Sequence, residues 1–203
     1  DDVARHLDLR GKPLHVVPLG VPAPARPSPE RPGFLPPGAF LFTVGNCLPH
    51  KNFHVLLDLV ERLPGQRLVI AGKKSTPYGA RLEGEVAARG LADRVILPGE
   101  VSDGDRQWLY ERCEAFLFPS LTEGFGFPVL EAMQCGKPVF AARRTSLPEI
   151  AGDRAGWWDS FDPNHMWEVV EAGLAAAAAP GFAAAQRAHA ESFSWQRAAE
   201  GYL

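Results

Sequence analysis

Two acidic residues flank a glycine-rich segment, E-G-F-G-F-P-V-L-E at 123–131. In a continuous helix the two carboxylates would lie two turns apart, but the glycines and Pro128 prevent such a helix. We therefore expect Glu123 in a loop and Glu131 in the first turns of a helix that begins near Pro128. A carboxylate can bind two vicinal hydroxyls through charge-assisted hydrogen bonds. The loop between the acids offers backbone N–H groups, those of Gly124, Phe125 and Gly126.

Lysines follow two of the apolar runs upstream. The loop G-N-C-L-P-H-K-N at 45–52 contains Gly45, where the backbone can approach a ligand closely, and Lys51 at the predicted start of a helix. A helix start favours phosphate because its N–H groups are free and its dipole is positive there. Two more lysines occur in A-G-K-K at 71–74. Together these cations predict a phosphate site.

The combination of acids, amides and cations predicts a specific kind of ligand. One acid would bind a ribose and the other a hexose, with the diphosphate between them, so the pattern describes a nucleoside-diphosphate sugar. Paired acids also serve glycoside hydrolases, but hydrolysis does not need the lysines or a glycine-rich helix start. The plainer interpretation is that Glu131 is a solvated helix residue and Glu123 a turn residue.

A second acidic pair, Asp103 and Asp105, has the spacing of a D-x-D metal motif. Ser102 directly precedes the predicted helix 103–113, so helix capping and compensation of the helix dipole explain both acids. We therefore predict no metal site and no cofactor.

The elements that would position these residues follow a regular alternation. Short apolar runs bounded by Gly or Pro suit strands that are buried on both faces. They occur at 40–45, 67–71, 94–98, 115–118 and 138–141, with an earlier short strand predicted at 15–19. Helical patterns occur between them, at 52–63, 79–90, 103–113 and 128–135. This order predicts an α/β, doubly wound Rossmann-like domain, with a parallel sheet of about six strands and helices on both faces.

The ends of the chain differ from this pattern. Residues 20–39 hold seven prolines and predict an extended loop. Residues 163–203 are Ala-rich and predict an appended surface helix pair, which Pro180-Gly181 interrupts.

Composition restricts the class of protein further. The formal net charge of -3 over 203 residues argues against a nucleic-acid binder. The sequence has no run of about eighteen apolar residues, so it predicts no transmembrane segment. It also has no recognisable signal peptide. Three widely spaced cysteines, Cys47, Cys113 and Cys135, suit buried thiols in a reduced, cytoplasmic setting.

With these residues in view, the chain resembles the C-terminal domain of the group-1 retaining glycosyltransferases, which have the two-domain GT-B architecture. The matching segments stand in the family's order from about residue 14 to the end. They are V-P-L-G-V at 17–21, V-G-N-C-L-P-H-K-N at 44–52, L-V-I-A-G-K at 68–73, P-G-E-V-S at 98–102, P-S-L-T-E-G-F-G-F-P-V-L-E-A-M at 119–133, G-K-P-V at 136–139, S-L-P-E at 146–149 and S-W at 194–195.

The resemblance implies a role for each motif residue. Glu131 would bind the donor ribose, Glu123 would face the transferred sugar, and Lys51 would stabilise charge on the diphosphate. The remaining implied donor-binding residues are Gly45, Asn46, Gly72, Lys73, Val101, Gly124, Phe125, Gly126 and Leu130. Transfer would retain the anomeric configuration of the sugar, and the reaction would need no metal. The Lys51-Asn52 pair is similar to that of mannosyltransferases of surface polysaccharides, so GDP-mannose or a UDP-sugar is the expected donor.

The sequence departs from the family in two respects. Many members carry an arginine after the first glycine, where this chain has Asn46, so Lys51 acts alone or Lys73, His50 or Arg143 compensates. Nothing in residues 1–39 is long enough for the acceptor-binding amino-terminal domain. We expect 1–13 to be a remnant of that domain and 14–203 to be the nucleotide-sugar-binding domain, inactive in isolation. The absent domain would decide whether the parent enzyme associates with the inner membrane face.

Two other functions use the same fold. One is a nucleotide-sugar-binding module without catalysis, which Asn46 favours. The other is a dinucleotide-dependent dehydrogenase, but the sequence lacks a G-x-G-x-x-G after the first regular strand.

Overall fold

A computed structural model describes His6, Asp8 and residues 14–63 and 65–203. Its centre is a six-stranded parallel sheet with the order β3-β2-β1-β4-β5-β6. The strands are β1 Phe40–Val44, β2 Arg67–Ala71, β3 Val95–Gly99, β4 Ala115–Phe118, β5 Val139–Ala142 and β6 Ala155–Trp158. Every residue of the interior strands β4 and β5 is buried. This all-parallel sheet confirms the predicted fold class, since continuous apolar runs are typical of strands covered on both faces.

Helices cover both faces of the sheet. In the described part of the chain they are α1 Val55–Arg62, α2 Pro77–Ala88, α3 Asp103–Arg112, α4 Phe127–Gln134, α5 Leu147–Ala151, α6 Pro163–Ala177, α7 Phe182–Glu191 and α8 Trp195–Tyr202. Alternate strand residues face opposite helical layers. Leu41 packs in the cluster that includes residues of α1, α2 and α6, whereas Phe42 packs in the one that includes residues of α3, α4 and α5.

The sixth strand differs from the prediction. Residues 15–19 form no strand, and Val16, one of them, is 81% exposed. The sheet edge beside β5 is instead occupied by β6, which the sequence did not reveal because its letters, A-G-W-W, begin with two small residues and contain no β-branched residue. Gly156 allows this strand to lie against Phe140, since a Cβ at Gly156 would be 2.5 Å from that ring.

The element that carries Lys51 also differs from the prediction. Pro49–Lys51 form a 3₁₀ turn, Asn52 takes the left-handed conformation with φ 57°, and α1 begins only at Val55. The prediction that Lys51 begins a helix is therefore wrong, because Asn52 interrupts the helical backbone directly after it.

The chain ends in three described helices instead of the predicted pair. The break at Pro180-Gly181 is confirmed, with Gly181 at φ 87° between α6 and α7. Over the described ranges, no individual helix has the length and apolar composition to cross a membrane. Among the described helices, one bent pair meets those criteria together, Pro163–Ala177 with Phe182–Tyr202, which spans α7 and α8; the bend between the two is 101°.

Candidate functional site

A cleft of about 540 Å³ lies at the carboxyl edge of the sheet. It is bounded by the ends of β1 and β2, by the segment after β3 and by the start of α4. Its lining residues are Val44, Gly45, Asn46, Leu48, His50, Lys51, Gly72, Glu100, Val101, Arg106, Phe127, Pro128 and Glu131. Ligands of open parallel sheets bind outside the carboxyl ends of the strands, so this position suits a binding site.

Two glycines let the loops after β1 and β2 meet. A Cβ on Gly72 would lie 2.2 Å from the carbonyl oxygen of Gly45, and Gly72 has φ +130°. Gly45 N–H donates to Ala71 O at 2.9 Å, and Cys47 N–H donates to Lys73 O at 2.8 Å. This side of the cleft is therefore backbone, and only glycine fits at position 72.

Lys51 and Glu123 meet beside the cleft. Lys51 Nζ lies 2.5 Å from Glu123 Oε1, and each side chain is only 14% exposed. The same ammonium lies 5.1 Å from the centre of the Phe118 ring. The loop after β4 is joined to the 3₁₀ turn a second time, through Leu121 N–H and His50 O at 2.7 Å. The structure thus brings together the cation and the loop acid that the sequence predicted.

The loop that carries Glu123 is held by residues after β5. Thr145 Oγ1 accepts a hydrogen bond from Glu123 N–H at 3.0 Å. The Ser146 hydroxyl lies 3.1 Å from Glu123 O and 2.9 Å from Phe125 O. Sequence reasoning assigned no role to Thr145 or Ser146. The available signal was the S-L-P-E motif at 146–149, which the resemblance included without a function.

The glycine-rich segment forms the entry to α4. Gly126 caps the helix in the left-handed conformation with φ 113°, and Pro128 occupies its first turn, as predicted. Phe125 turns toward other aromatic rings, 4.8 Å from Phe127 and 6.2 Å from Phe193 between centres. Gly124 is open, since a Cβ there would meet nothing within 4 Å. Leu130 is fully buried, so its side chain belongs to the core and not to the cleft.

Glu131 lies in α4 and accepts a hydrogen bond from a neighbouring helix. The hydroxyl of Tyr110 in α3 donates to Glu131 Oε2 at 2.7 Å. Burial, followed by the negative charge of Glu131, raises the pKa of Tyr110 well above its ordinary value, so the phenol stays a donor. The sequence predicted the place of Glu131 but not this partner.

The predicted phosphate ligands divide into two groups. Lys51 and His50 line the cleft, whereas the exposed Lys73 does not. The backbone N–H of Lys73 donates to Asn46 Oδ1 at 3.3 Å. Arg143 pairs with Asp159 at 2.7 Å and stacks on Trp157. Of the candidates to compensate for Asn46, His50 is therefore the one placed at the cleft. Arg106, which the sequence analysis did not consider, adds a further cation.

Residues 28–176 match the family described as "Glycosyl transferases group 1". The chain belongs to this family. The match covers well over half of the chain and includes the cleft and the glycine-rich segment, so the resemblance inferred from the motifs is confirmed.

Relatives of this chain carry names of different specificity. It is 32% identical over 173 residues to the serotype-specific mannosyltransferase WbdA of Escherichia coli, covering 80% of the chain and 21% of that protein. It is 35% identical over 171 residues to the D-inositol 3-phosphate glycosyltransferase of Mycolicibacterium paratuberculosis, covering 79% and 38%. The chain therefore spans well under half the length of these relatives.

Solved structures share the fold of this glycosyltransferase domain. Sucrose-phosphate synthase of Thermosynechococcus elongatus superposes with a TM-score of 0.71 at 25% identity, covering 80% of this chain and 43% of that one. HepE of Anabaena, solved with UDP-glucose, gives a TM-score of 0.70 at 22% identity, covering 80% and 48%.

The D-x-D pair lies in the first turn of α3, at the helix start that Ser102 caps, as predicted. Ser102 Oγ accepts from Asp105 N–H at 3.0 Å, and Asp103 pairs with Arg106 at 3.1 Å. The Asp105 carboxylate accepts from the Ser28 hydroxyl at 2.7 Å, so it is also occupied. Helix capping and local pairs account for both acids.

Proposed function

We propose that the cleft binds a nucleoside-diphosphate sugar as the donor of a glycosyl transfer. One observation carries this proposal: Lys51 and Glu131, from segments far apart in the chain, line one cavity, and Glu123 contacts Lys51. A cation for phosphate and two carboxylates for hydroxyl groups are the chemistry that such a donor requires. The volume of about 540 Å³ is within the range of small-molecule sites.

Each part of the donor has a proposed place. The diphosphate lies at Lys51, near the amides of Phe125 and Gly126. The ribose hydroxyls bind Glu131, and the base lies near Gly72, Lys73 and Val101.

The sugar faces Glu123 and the backbone at Gly124, on the far side of the diphosphate from the base. Leu130 contributes only through its backbone, since its side chain is in the core.

Transfer then exchanges one bond at the anomeric carbon for another. The bond from that carbon to the phosphate oxygen breaks, and a bond to the acceptor oxygen forms on the same face. The acceptor proton passes to the departing phosphate oxygen, so no protein base is needed. Lys51 stabilises the negative charge that grows on the leaving diphosphate, where a preorganised cation lowers the barrier. The proposed reaction uses no metal.

The comparisons support this reaction class without naming its substrates. One relative is named a mannosyltransferase and another a D-inositol 3-phosphate glycosyltransferase. A protein of the same fold was solved with UDP-glucose. We propose GDP-mannose or a UDP-sugar as donor and a glycan or lipid-linked acceptor. Because the chain spans well under half of these relatives, we assign transfer to a longer parent enzyme, with the acceptor-binding domain as its partner.

A titration tests the binding step. The 203-residue chain is titrated with UDP and with GDP by calorimetry and NMR, and we expect saturable binding of at least one. Absence of binding of either at about 10 mM, a concentration at which even Kd values near 1 mM would saturate the site, would exclude the proposal. A non-catalytic binding module remains the alternative, since Asn46 replaces a cation. If the full-length parent transfers sugar and Glu131→Ala abolishes that transfer, the alternative is excluded.

A further inference from the structure

Tyr110 is almost completely buried yet makes a polar contact with a cleft residue. Its side chain is 1% exposed, and its hydroxyl donates to Glu131 Oε2 at 2.7 Å. No other described residue donates to the carboxylate of Glu131. Oε1 therefore keeps its full capacity to accept hydrogen bonds from a ligand in the cleft.

The Tyr110 ring has little freedom to move. It meets Phe42 edge-on at 5.0 Å between ring centres and Phe116 at 5.3 Å. Both partners belong to central strands of the sheet and are fully buried. The phenol is consequently a fixed donor, placed by the core and directed at one oxygen of a partly exposed acid.

Glu131 has a second place to which its side chain could turn. A smaller cavity of about 200 Å³ lies behind the cleft, bounded by the segment 22–25 and by α3 and α4. Glu131 and Arg106 line both cavities, and Tyr110 lines the rear one. A glutamate with three rotatable bonds would divide its population between the two spaces unless something held it.

We infer that Tyr110 is a positioning residue for sugar-ring recognition: its hydroxyl holds the Glu131 carboxylate so that the other oxygen faces the hydroxyls of the ribose. This inference rests on the proposed function, and in particular on the ribose lying at Glu131. The rotamer freedom of Glu131 is lost on folding and not on binding, so the donor binds more tightly. Tyr110 itself touches no part of the donor.

The test compares ligands that differ only in the 2′- and 3′-hydroxyls of the ribose. The 203-residue chain is titrated with UDP and 2′,3′-dideoxy-UDP, or with the GDP pair if GDP binds better. Wild type should prefer the ribonucleotide. Tyr110→Phe should weaken ribonucleotide binding by about three- to tenfold, since the freed Glu131 side chain must then be ordered on binding, and leave dideoxynucleotide binding unchanged. The double variant with Glu131→Ala should bind no more weakly than Glu131→Ala alone.

Tyr78→Phe is the matched control. The Tyr78 hydroxyl is also buried and hydrogen-bonded, but to His54, 3.1 Å away and on the opposite face of the sheet. This variant should keep the wild-type preference for the ribonucleotide. In wild type, the NMR signal of the Tyr110 side chain should shift on adding the ribonucleotide and much less with the dideoxynucleotide. That measurement needs no variant to fold.

The possible failures are distinguishable. Equal weakening of both ligands by Tyr110→Phe, or no weakening, would overturn the inference. Wild type that binds both nucleotides equally would overturn it too, while leaving diphosphate binding intact. Wild type that binds neither nucleotide would remove the proposed function and this inference together.

Discussion

Lys51 Nζ and Glu123 Oε1 lie 2.5 Å apart, although 72 positions separate the two residues in the sequence. The pair joins the turn after β1 to the loop after β4, across neighbouring strands of the sheet. At 14% exposure each, the two charges are largely shielded from water, so their interaction is stronger than that of a surface pair. A donor diphosphate must share or replace Glu123 as the partner of Lys51.

Removing the lysine should weaken nucleotide binding. We expect Lys51→Ala to raise the Kd for UDP or GDP by about ten- to a hundredfold, the loss of a charge-assisted contact to phosphate. Lys137→Ala is the control, because it makes the same change of charge just before β5, at the opposite edge of the sheet. Calorimetry measures both. Equal losses for the two variants would mean that only the overall charge matters, contrary to the proposed site.

Removing the charge of Glu123 should have the opposite effect on a nucleotide without sugar. In Glu123→Gln the ammonium of Lys51 is no longer neutralised, and the repulsion between carboxylate and diphosphate is gone. We therefore expect UDP or GDP to bind about three- to tenfold more tightly, with a steeper dependence on salt. Nucleotide sugar should gain less, because it loses its contact to the carboxylate. Weaker binding of the plain nucleoside diphosphate would contradict this account.

The close approach of the first two loops predicts a stability effect. In Gly72→Ala the new Cβ would lie 2.2 Å from Gly45 O, on a backbone with φ +130°. We expect the free energy of unfolding to fall by roughly 2–5 kcal/mol from strain and overpacking. Gly84→Ala on α2, where a Cβ meets nothing within 4 Å, should instead raise it by about 0.5–1 kcal/mol. Urea denaturation compares the two, and similar changes in both variants would refute the packing argument.

The buried thiol of Cys113 predicts a pH dependence of stability. Burial raises its pKa from 9.0 to about 12. Between these values the folded chain keeps a proton that the unfolded chain releases, so stability falls as pH rises from about 9 to 12. One group contributes at most about 1.4 kcal/mol per pH unit, and nothing below about pH 8. Cys113→Ala should have a shallower slope of unfolding free energy between about pH 9 and 10.5; an unchanged slope would show that the thiol is not responsible.

Much of the fold could be predicted because its signals are local. The runs at 115–118 and 138–141 are continuous and apolar, which is what burial on both faces of a parallel sheet requires. Gly126 and Pro128 likewise determine the start of α4 from their own backbone preferences. The edge strand β6 has no such run, and its pairing depends on Gly156 lying against Phe140, a contact that only the folded chain creates.

The residues of the candidate site likewise divide into those that the sequence could predict and those that it could not. Glu123, Glu131 and Lys51 could be selected from their types and their positions after strands. Their partners could not, because the contacts of Tyr110 with Glu131 and of Thr145 with Glu123 join separate elements. The conformation at Lys51 was mispredicted because Asn52, with φ 57°, ends the 3₁₀ turn before α1 begins.

The most direct measurement is a crystal structure of the chain with a bound nucleoside diphosphate or nucleotide sugar. Our account predicts the diphosphate within about 4 Å of Lys51 Nζ and the ribose hydroxyls within hydrogen-bond distance, about 2.5–3.0 Å, of the Glu131 carboxylate. Tyr110 would still donate to the other oxygen. A nucleotide bound elsewhere, or bound in the cleft with its ribose away from Glu131, would contradict the central claim.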